Sequence, residues 1–177
     1  MKLFGNWRKE PEHSEQTPFV ADNSSKVRLE SAKGAAFGQN RKILVVDDNG
    51  VVLKAFELKL KALGFKVLTA TDGSGAVSLA RQERPDLIVL DINFPPDVGS
   101  TGLQWDGFNI MEWMRRFQEV AEIPVIIITS GDPAKYKARA LSNGASAFFQ
   151  KPINHEEFLI AVRRILGQNK AAEPQGV

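Results

Sequence analysis

Five acidic, hydroxyl or ammonium residues in this chain, at the ends of four apolar runs, sit where chemistry would need them. Asp47 and Asp48 follow the short apolar run 43–46, Asp91 follows 87–90, Thr129 follows 125–128, and Lys151 lies just past 145–149. If these runs are parallel strands of one sheet, their carboxyl ends share one edge, and three carboxylates converge in one crevice. Two like charges about 4 Å apart, at an effective dielectric near 20, oppose each other by about 4 kcal/mol. Such a cluster therefore calls for raised pKa values or for cations. A hard divalent ion such as Mg²⁺ suits an open pocket of three acids, because it takes a few carboxylates and keeps waters or phosphoryl oxygens as further ligands. The Lys151 ammonium is a second available cation, and the Thr129 hydroxyl adds a donor to the same rim. Acid, metal, hydroxyl and ammonium together make a phosphoryl-transfer site, since that chemistry needs chiefly positioning and neutralisation of oxygen charge.

Each residue also has a plainer reading. Asp47, Asp48, Asn49 and Gly50 could be turn and N-cap residues at a strand end. Thr129 could be an ordinary β-branched strand residue and Lys151 a solvated cation. Independent turn chemistry, however, would not place all of these at the ends of different strands on one sheet edge.

The elements that must position them follow from hydrophobic periodicity. The run 43–46 reads as a buried strand, and the next helix carries Val52, Phe56, Leu60 and Leu63 at three- and four-residue steps, with Gly64 as its C′ residue. Strand two is expected over 65–70, a helix over 75–84 stopped by Pro85, and strand three over 87–90. A third helix is expected over 108–117, strand four over 125–128 after Pro124, and a fourth helix from Pro133 to before Gly144. Strand five is expected over 145–149, and Asn154 with Glu157 signals the cap of a last helix ending at Leu166. Five strand–helix units in alternation predict an α/β protein with a flavodoxin-like, doubly wound, five-stranded parallel sheet, strand order 2-1-3-4-5, and five helices. The domain spans 41–167. Residues 1–40, rich in Ser, Glu, Lys, Asn and Gly, read as a flexible N-terminal extension, and 168–177 as a polar C-terminal tail. Within 1–9, Leu3, Phe4 and Trp7 stand among Lys2, Arg8 and Lys9, which reads first as a tail with scattered apolar residues and second as a short docking or membrane-surface element.

Composition excludes other classes. With 23 basic against 21 acidic residues, a formal net charge of +2 gives no field that argues for direct nucleic-acid binding. The absence of Cys removes disulfide and thiolate chemistry. No apolar run reaches the roughly 18 to 20 residues of a membrane span, and a cytoplasmic location is expected. His13 and His155, the only histidines, stand apart, so neither makes a metal centre or phosphoryl donor. Gly73 and Gly75 follow a strand, but no GK[ST] completes a nucleotide loop.

The segments ILVVDDN, LIVLDINFP, WDGF, IIITSGD and FFQKPI, in that order, make residues 42 to about 166 resemble the receiver domain of two-component response regulators, of the stand-alone, chemotaxis-regulator-like type. The resemblance implies that Asp91 is the phospho-acceptor, taking its phosphoryl group from a phosphohistidine on a sensor histidine kinase or a histidine phosphotransfer protein. It implies that Asp48 binds Mg²⁺ directly, Asp47 directly or through water, that Asp91 shares that ion, and that Asn93 supplies a backbone carbonyl. Thr129 and Lys151 would hold phosphoryl oxygens, with Lys151 paired to Asp91 beforehand. In the family's switch Thr129 is drawn to the phosphoryl group and an aromatic on strand five turns inward; by position that residue is Phe148. Pro152 resembles the family's cis-proline. The segment 93–105 is several residues longer than the family pattern, as a tolerated surface insertion, a lid over the acyl phosphate or a partner contact led by Trp105. With too little chain after Leu166 for an output domain, signalling would run through an unidentified protein target or a phosphorelay. A phosphorylation-independent interaction module and a phosphatase of the haloacid-dehalogenase class are the alternatives, the second less favoured because its first strand carries DxD rather than adjacent acids. Self-phosphorylation and self-dephosphorylation, rather than enzymatic turnover, are the expected activities.

Overall fold

A computed structural model describes residues 37–93 and 107–169. The strands are β1 (Lys42–Val46), β2 (Lys66–Ala70), β3 (Leu87–Asp91), β4 (Val125–Thr129) and β5 (Ala147–Gln150). They form one parallel sheet in the order β2-β1-β3-β4-β5. This is the expected doubly wound, flavodoxin-like order. The central strands β3 and β4, LIVLD and VIIIT, are buried at every position, because helices cover both faces and alternation has no solvent side to serve.

The helices are α1 (Gly50–Ala62), α2 (Gly73–Glu83), α3 (Gly107–Met114), α4 (Gln118–Ala121), α5 (Pro133–Ser142) and α6 (His155–Asn169). Successive strand residues point to opposite faces, which divides the core in two. Ile43, Val45, Val89, Ile126 and Ile128 pack with Leu53, Phe56 and Leu60 of α1 and Phe158, Val162 and Ile165 of α6. Leu44, Val46, Leu90 and Ile127 pack on the other side with Ala76, Val77 and Ala80 of α2, Ile110, Met111 and Met114 of α3, Val120 of α4 and Ala140 of α5.

Six helices stand among the described residues where the periodicity predicts five. The expected helix over 108–117 ends early: Arg116 and Phe117 donate to the carbonyls three residues back, Trp113 and Met114, at 3.0 and 3.1 Å. Phe117 then takes extended backbone angles, φ −104° and ψ 112°, and α4 restarts after it. The apolar stripe continues across this break, so periodicity alone could not mark it. Strand five begins two residues late because the Ala145 N–H closes α5 on Ala140 O at 2.9 Å. The last helix runs past the expected end at Leu166, through Asn169.

The domain edge also shifts at the front. Phe37 and Gly38, assigned by composition to the extension, lie on the domain: the Phe37 ring meets Phe65 edge-on at 6.1 Å and lies under Arg41 at 4.7 Å. A Cβ on Gly38 would stand 2.4 Å from the Leu63 carbonyl oxygen, so only glycine permits that approach. The docking or membrane-surface element weighed over 1–9 and the long segment 94–105 lie outside the described residues. No helix among the described residues is long and apolar enough to cross a membrane.

Candidate functional site

Three neighbouring strand ends repeat one local device. Asp47 follows β1, and its Oδ1 accepts the N–H of Asn49 at 3.0 Å; Asp91 ends β3, and its Oδ1 accepts the N–H of Asn93 at 2.9 Å. Thr129 ends β4, and its Oγ1 accepts the N–H of Gly131 at 3.0 Å. Each side chain bonds the main chain two residues on and turns the chain out of the sheet. The turn reading of the acids is thus true of one oxygen in each. It leaves the second oxygen of Asp47 and of Asp91 free to face the crevice. The cap of α1 is Asn49, whose side chain accepts from Val51 N and Val52 N, so capping does not consume Asp48.

Register sets the carboxylates side by side. Val46 pairs with Leu90, which makes Asp47 and Asp91 the next residues on adjacent strands, and Asp91 pairs with Ile128, one step before Thr129. Asp47, Asp91 and Thr129 are 0%, 3% and 0% exposed, the only polar residues in the described core. Asp48 is exposed, yet Asp47, Asp48 and Asp91 each bring a carboxylate oxygen within 4.8 Å of the others.

Lys151 closes the crevice from β5. Its N–H donates to Thr129 O at 2.8 Å, the peptide to Pro152 is cis, and its Nζ donates to Asp47 Oδ2 at 2.6 Å and Asp91 Oδ2 at 2.5 Å. Burial pushes the Asp47 carboxyl up, above the ordinary aspartate value, with the Lys151 and Asn49 hydrogen bonds opposing the rise. Burial also works against the Lys151 ammonium, but its bonds to Asp47 and Asp91 prevail and hold its pKa above the lysine norm. The one ammonium is thus shared by two buried carboxylates, Asp47 and Asp91, with the Asp48 carboxylate clustered beside them. A divalent cation fits this donor set, and the clustered oxygens could hold one.

The structure therefore brings Asp47, Asp48, Asp91, Thr129 and Lys151 together. Asn93 joins them through its side chain, whose Nδ2 donates to Thr129 Oγ1 at 2.9 Å, a contact the sequence reading did not contain. Phe148 shares the face of its register partner Ile127 and packs half-buried against that side of the core, whereas Phe149 turns the other way, onto Phe158 at 5.7 Å. Two glycines carry functions missed in the sequence. A Cβ on Gly107 would lie 2.7 Å from Asp91 O and 2.6 Å from Ile92 Cα, so glycine lets α3 start against the end of β3. A Cβ on Gly131 would lie 2.5 Å from the Tyr136 ring and 3.3 Å from Thr129 Oγ1. The only sequence hint was the DG pair at 106–107.

A doubly wound parallel sheet in this order, with an acid-and-lysine crevice at the carboxyl ends of its strands, defines a flavodoxin-like α/β protein whose site lies at the topological switch point. Residues 43–163 match the family model described as the response regulator receiver domain. The chain belongs to that family, the receiver domains of two-component systems. It is 33% identical over 135 residues to the alkaline phosphatase synthesis transcriptional regulatory protein PhoP of Bacillus subtilis, covering 76% of this chain and 52% of that protein. It is 29% identical over 127 residues to the polar-differentiation response regulator DivK of Brucella anthropi, covering 72% of this chain and 97% of that one. The chain spans about half the length of most of these relatives, PhoP among them. Among solved structures, the Vibrio cholerae chemotaxis protein CheY4 superposes with a TM-score of 0.62 at 28% identity, covering 71% of this chain and 98% of that one.

Proposed function

We propose that this receiver domain accepts a phosphoryl group on Asp91 in a Mg²⁺-dependent reaction and signals through altered protein binding or a phosphorelay. The observation that carries the reading is the Lys151 ammonium, bonded at once to Asp47 Oδ2 and Asp91 Oδ2 with Asp48 alongside. A buried carboxylate kept beside an ammonium and two further acids is a poor stability device, because desolvation opposes it, and a good acceptor site.

In this reading an oxygen of Asp91 attacks phosphorus of a phosphohistidine. The new O–P bond gives an acyl phosphate, the N–P bond breaks, and its electron pair returns to the imidazole nitrogen. The carboxylates of Asp47, Asp48 and Asp91 and the carbonyl of Asn93 would hold Mg²⁺. A bound Mg²⁺ neutralises and orients phosphoryl oxygens. Lys151 and Thr129 donate to those oxygens, and Lys151 leaves its Asp91 bond to do so. The displacement of Thr129 frees space for Phe148 on the same sheet face. The donor is a sensor histidine kinase or a histidine phosphotransfer protein, and the output is a protein partner.

Incubation with acetyl phosphate and Mg²⁺ tests this by intact mass. One added phosphate in the wild type and none in Asp91→Asn is expected. No label in folded wild-type protein, or equal label in Asp91→Asn, overturns the reading and leaves a phosphorylation-independent interaction module.

A further inference from the structure

Thr129 Oγ1 is fully buried and accepts from two donors: the Gly131 N–H at 3.0 Å, in its own turn, and Asn93 Nδ2 at 2.9 Å, from the neighbouring strand end. A hydroxyl oxygen has two acceptor positions, so both are filled. Asn93 is itself pinned, because its N–H is held on Asp91 Oδ1 at 2.9 Å. One residue thus ties the acceptor carboxylate to the Thr129 hydroxyl, through main chain at one end and side chain at the other.

The Asn93–Thr129 bond joins two neutral groups, each of which is also a donor. A phosphoryl group on Asp91 would draw the Thr129 hydroxyl toward charged acceptor oxygens and off Asn93 Nδ2, since bonds to a charged acceptor are roughly twice as strong as neutral ones. The neutral bond therefore belongs to the resting state alone. From this we infer that the Asn93 carboxamide is a latch on Thr129: it holds the hydroxyl in its resting position, and its release is part of the work of switching. Asn93 is a positioning residue that acts through Thr129. The inference rests on the phospho-acceptor reading for its consequence, but the latch itself is a property of the unphosphorylated protein. Tyr136 carries its effect outward, since the ring lies against Gly131, the other residue bonded to the hydroxyl, and against Phe108 at 6.2 Å.

Two measurements test it on the full chain. In metal-free protein, three-bond couplings to the Thr129 methyl carbon report its χ1 rotamer. One rotamer in the wild type and averaging in Asn93→Ala are expected; identical couplings in both overturn the latch. The second measurement is the affinity for beryllium trifluoride, a phosphoryl mimic, in the presence of Mg²⁺. Asn93→Ala is expected to bind it roughly five-fold more tightly, the worth of one ordinary hydrogen bond. In a Thr129→Val background, which has no hydroxyl to hold, Asn93→Ala should change nothing. Equal or weaker binding by Asn93→Ala, or the same gain in both backgrounds, overturns the latch. If folded wild type takes up no beryllium trifluoride, the phospho-acceptor reading falls, and the latch is decided by the couplings.

Discussion

Lys151 is, among the described residues, the one cation bonded to Asp47 and Asp91, and it reaches both from the end of β5. Replacing it with Met leaves buried carboxylates repelling one another across a low-dielectric crevice. Lys151→Met is expected to lower stability in metal-free buffer by about 2 kcal/mol, since breaking a buried pair strands its partner. A divalent cation would supply the missing charge, so saturating Mg²⁺ should raise the urea midpoint of Lys151→Met more than that of the wild type. Equal gains in the two proteins would mean that ammonium and metal do not serve the same carboxylates. The acids and Lys151 were legible in the sequence because each ends an apolar run, and parallel topology brings run ends together. The Asn93 side chain was not legible, because its contact with Thr129 joins residues 36 apart in sequence and depends on side-chain direction. Periodicity carries no information on that.

At the scale of elements, the site depends on how closely α3 and the strand ends approach. Gly107 opens α3 with its Cα face against the Asp91 carbonyl and the Ile92 backbone. Those atoms lie at the buried end of a central strand and in the residue just past it and yield little, so Gly107→Ala is expected to destabilise by about 1–3 kcal/mol, the usual range for overpacking. Gly50, at the start of α1, has nothing within 4 Å of an added Cβ. There the same substitution is expected to stabilise by about 0.5–1 kcal/mol, through lower chain entropy in the unfolded state. Urea midpoints of the two variants should move in opposite directions; a shared direction would mean that helix propensity, not close approach, governs Gly107. β1, β3 and β4 were readable because each is a short apolar run next to Pro or Asp. Boundaries failed where a hydrogen bond outweighed composition: the Ala145 N–H went to α5 rather than to the β5 ladder, and the tightened turn before Phe117 split one apolar stripe into α3 and α4.

Across the whole molecule the two sheet faces are closed by different means. α2, α3, α4 and α5 cover one, while α1 and α6 cover the other and leave a groove of about 350 Å³ lined by Phe56, Leu60, Leu63, Phe158 and Leu159. Lys59 and His155 meet at its rim, the ammonium donating to Nε2, which requires a neutral ring with its proton on Nδ1. Among the described residues no acid bonds to either group: Glu57, the only carboxylate on α1, is taken by Lys61 at 2.6 Å and Lys54 at 2.9 Å, which hold its pKa down to about 2. On α6, the Glu157 carboxylate accepts from Nδ2 of the cap residue Asn154 at 3.4 Å. Desolvation and then the Lys59 charge push the His155 pKa below its ordinary 6.5. As pH falls, the unfolded chain therefore takes up this proton before the folded one does. The stability that neutral His155 provides is complete above about pH 6.5 and is lost as pH falls through the lower folded value. His155→Gln cannot gain the charge, and its stability should not share that part of the loss. Urea midpoints followed from about pH 7.5 to about pH 5.5 should show the wild type falling relative to His155→Gln, and the difference cancels any contribution of His13. Parallel profiles would mean that the two helices are held by their apolar contacts alone, with the Lys59–His155 meeting contributing nothing to the closure of that face.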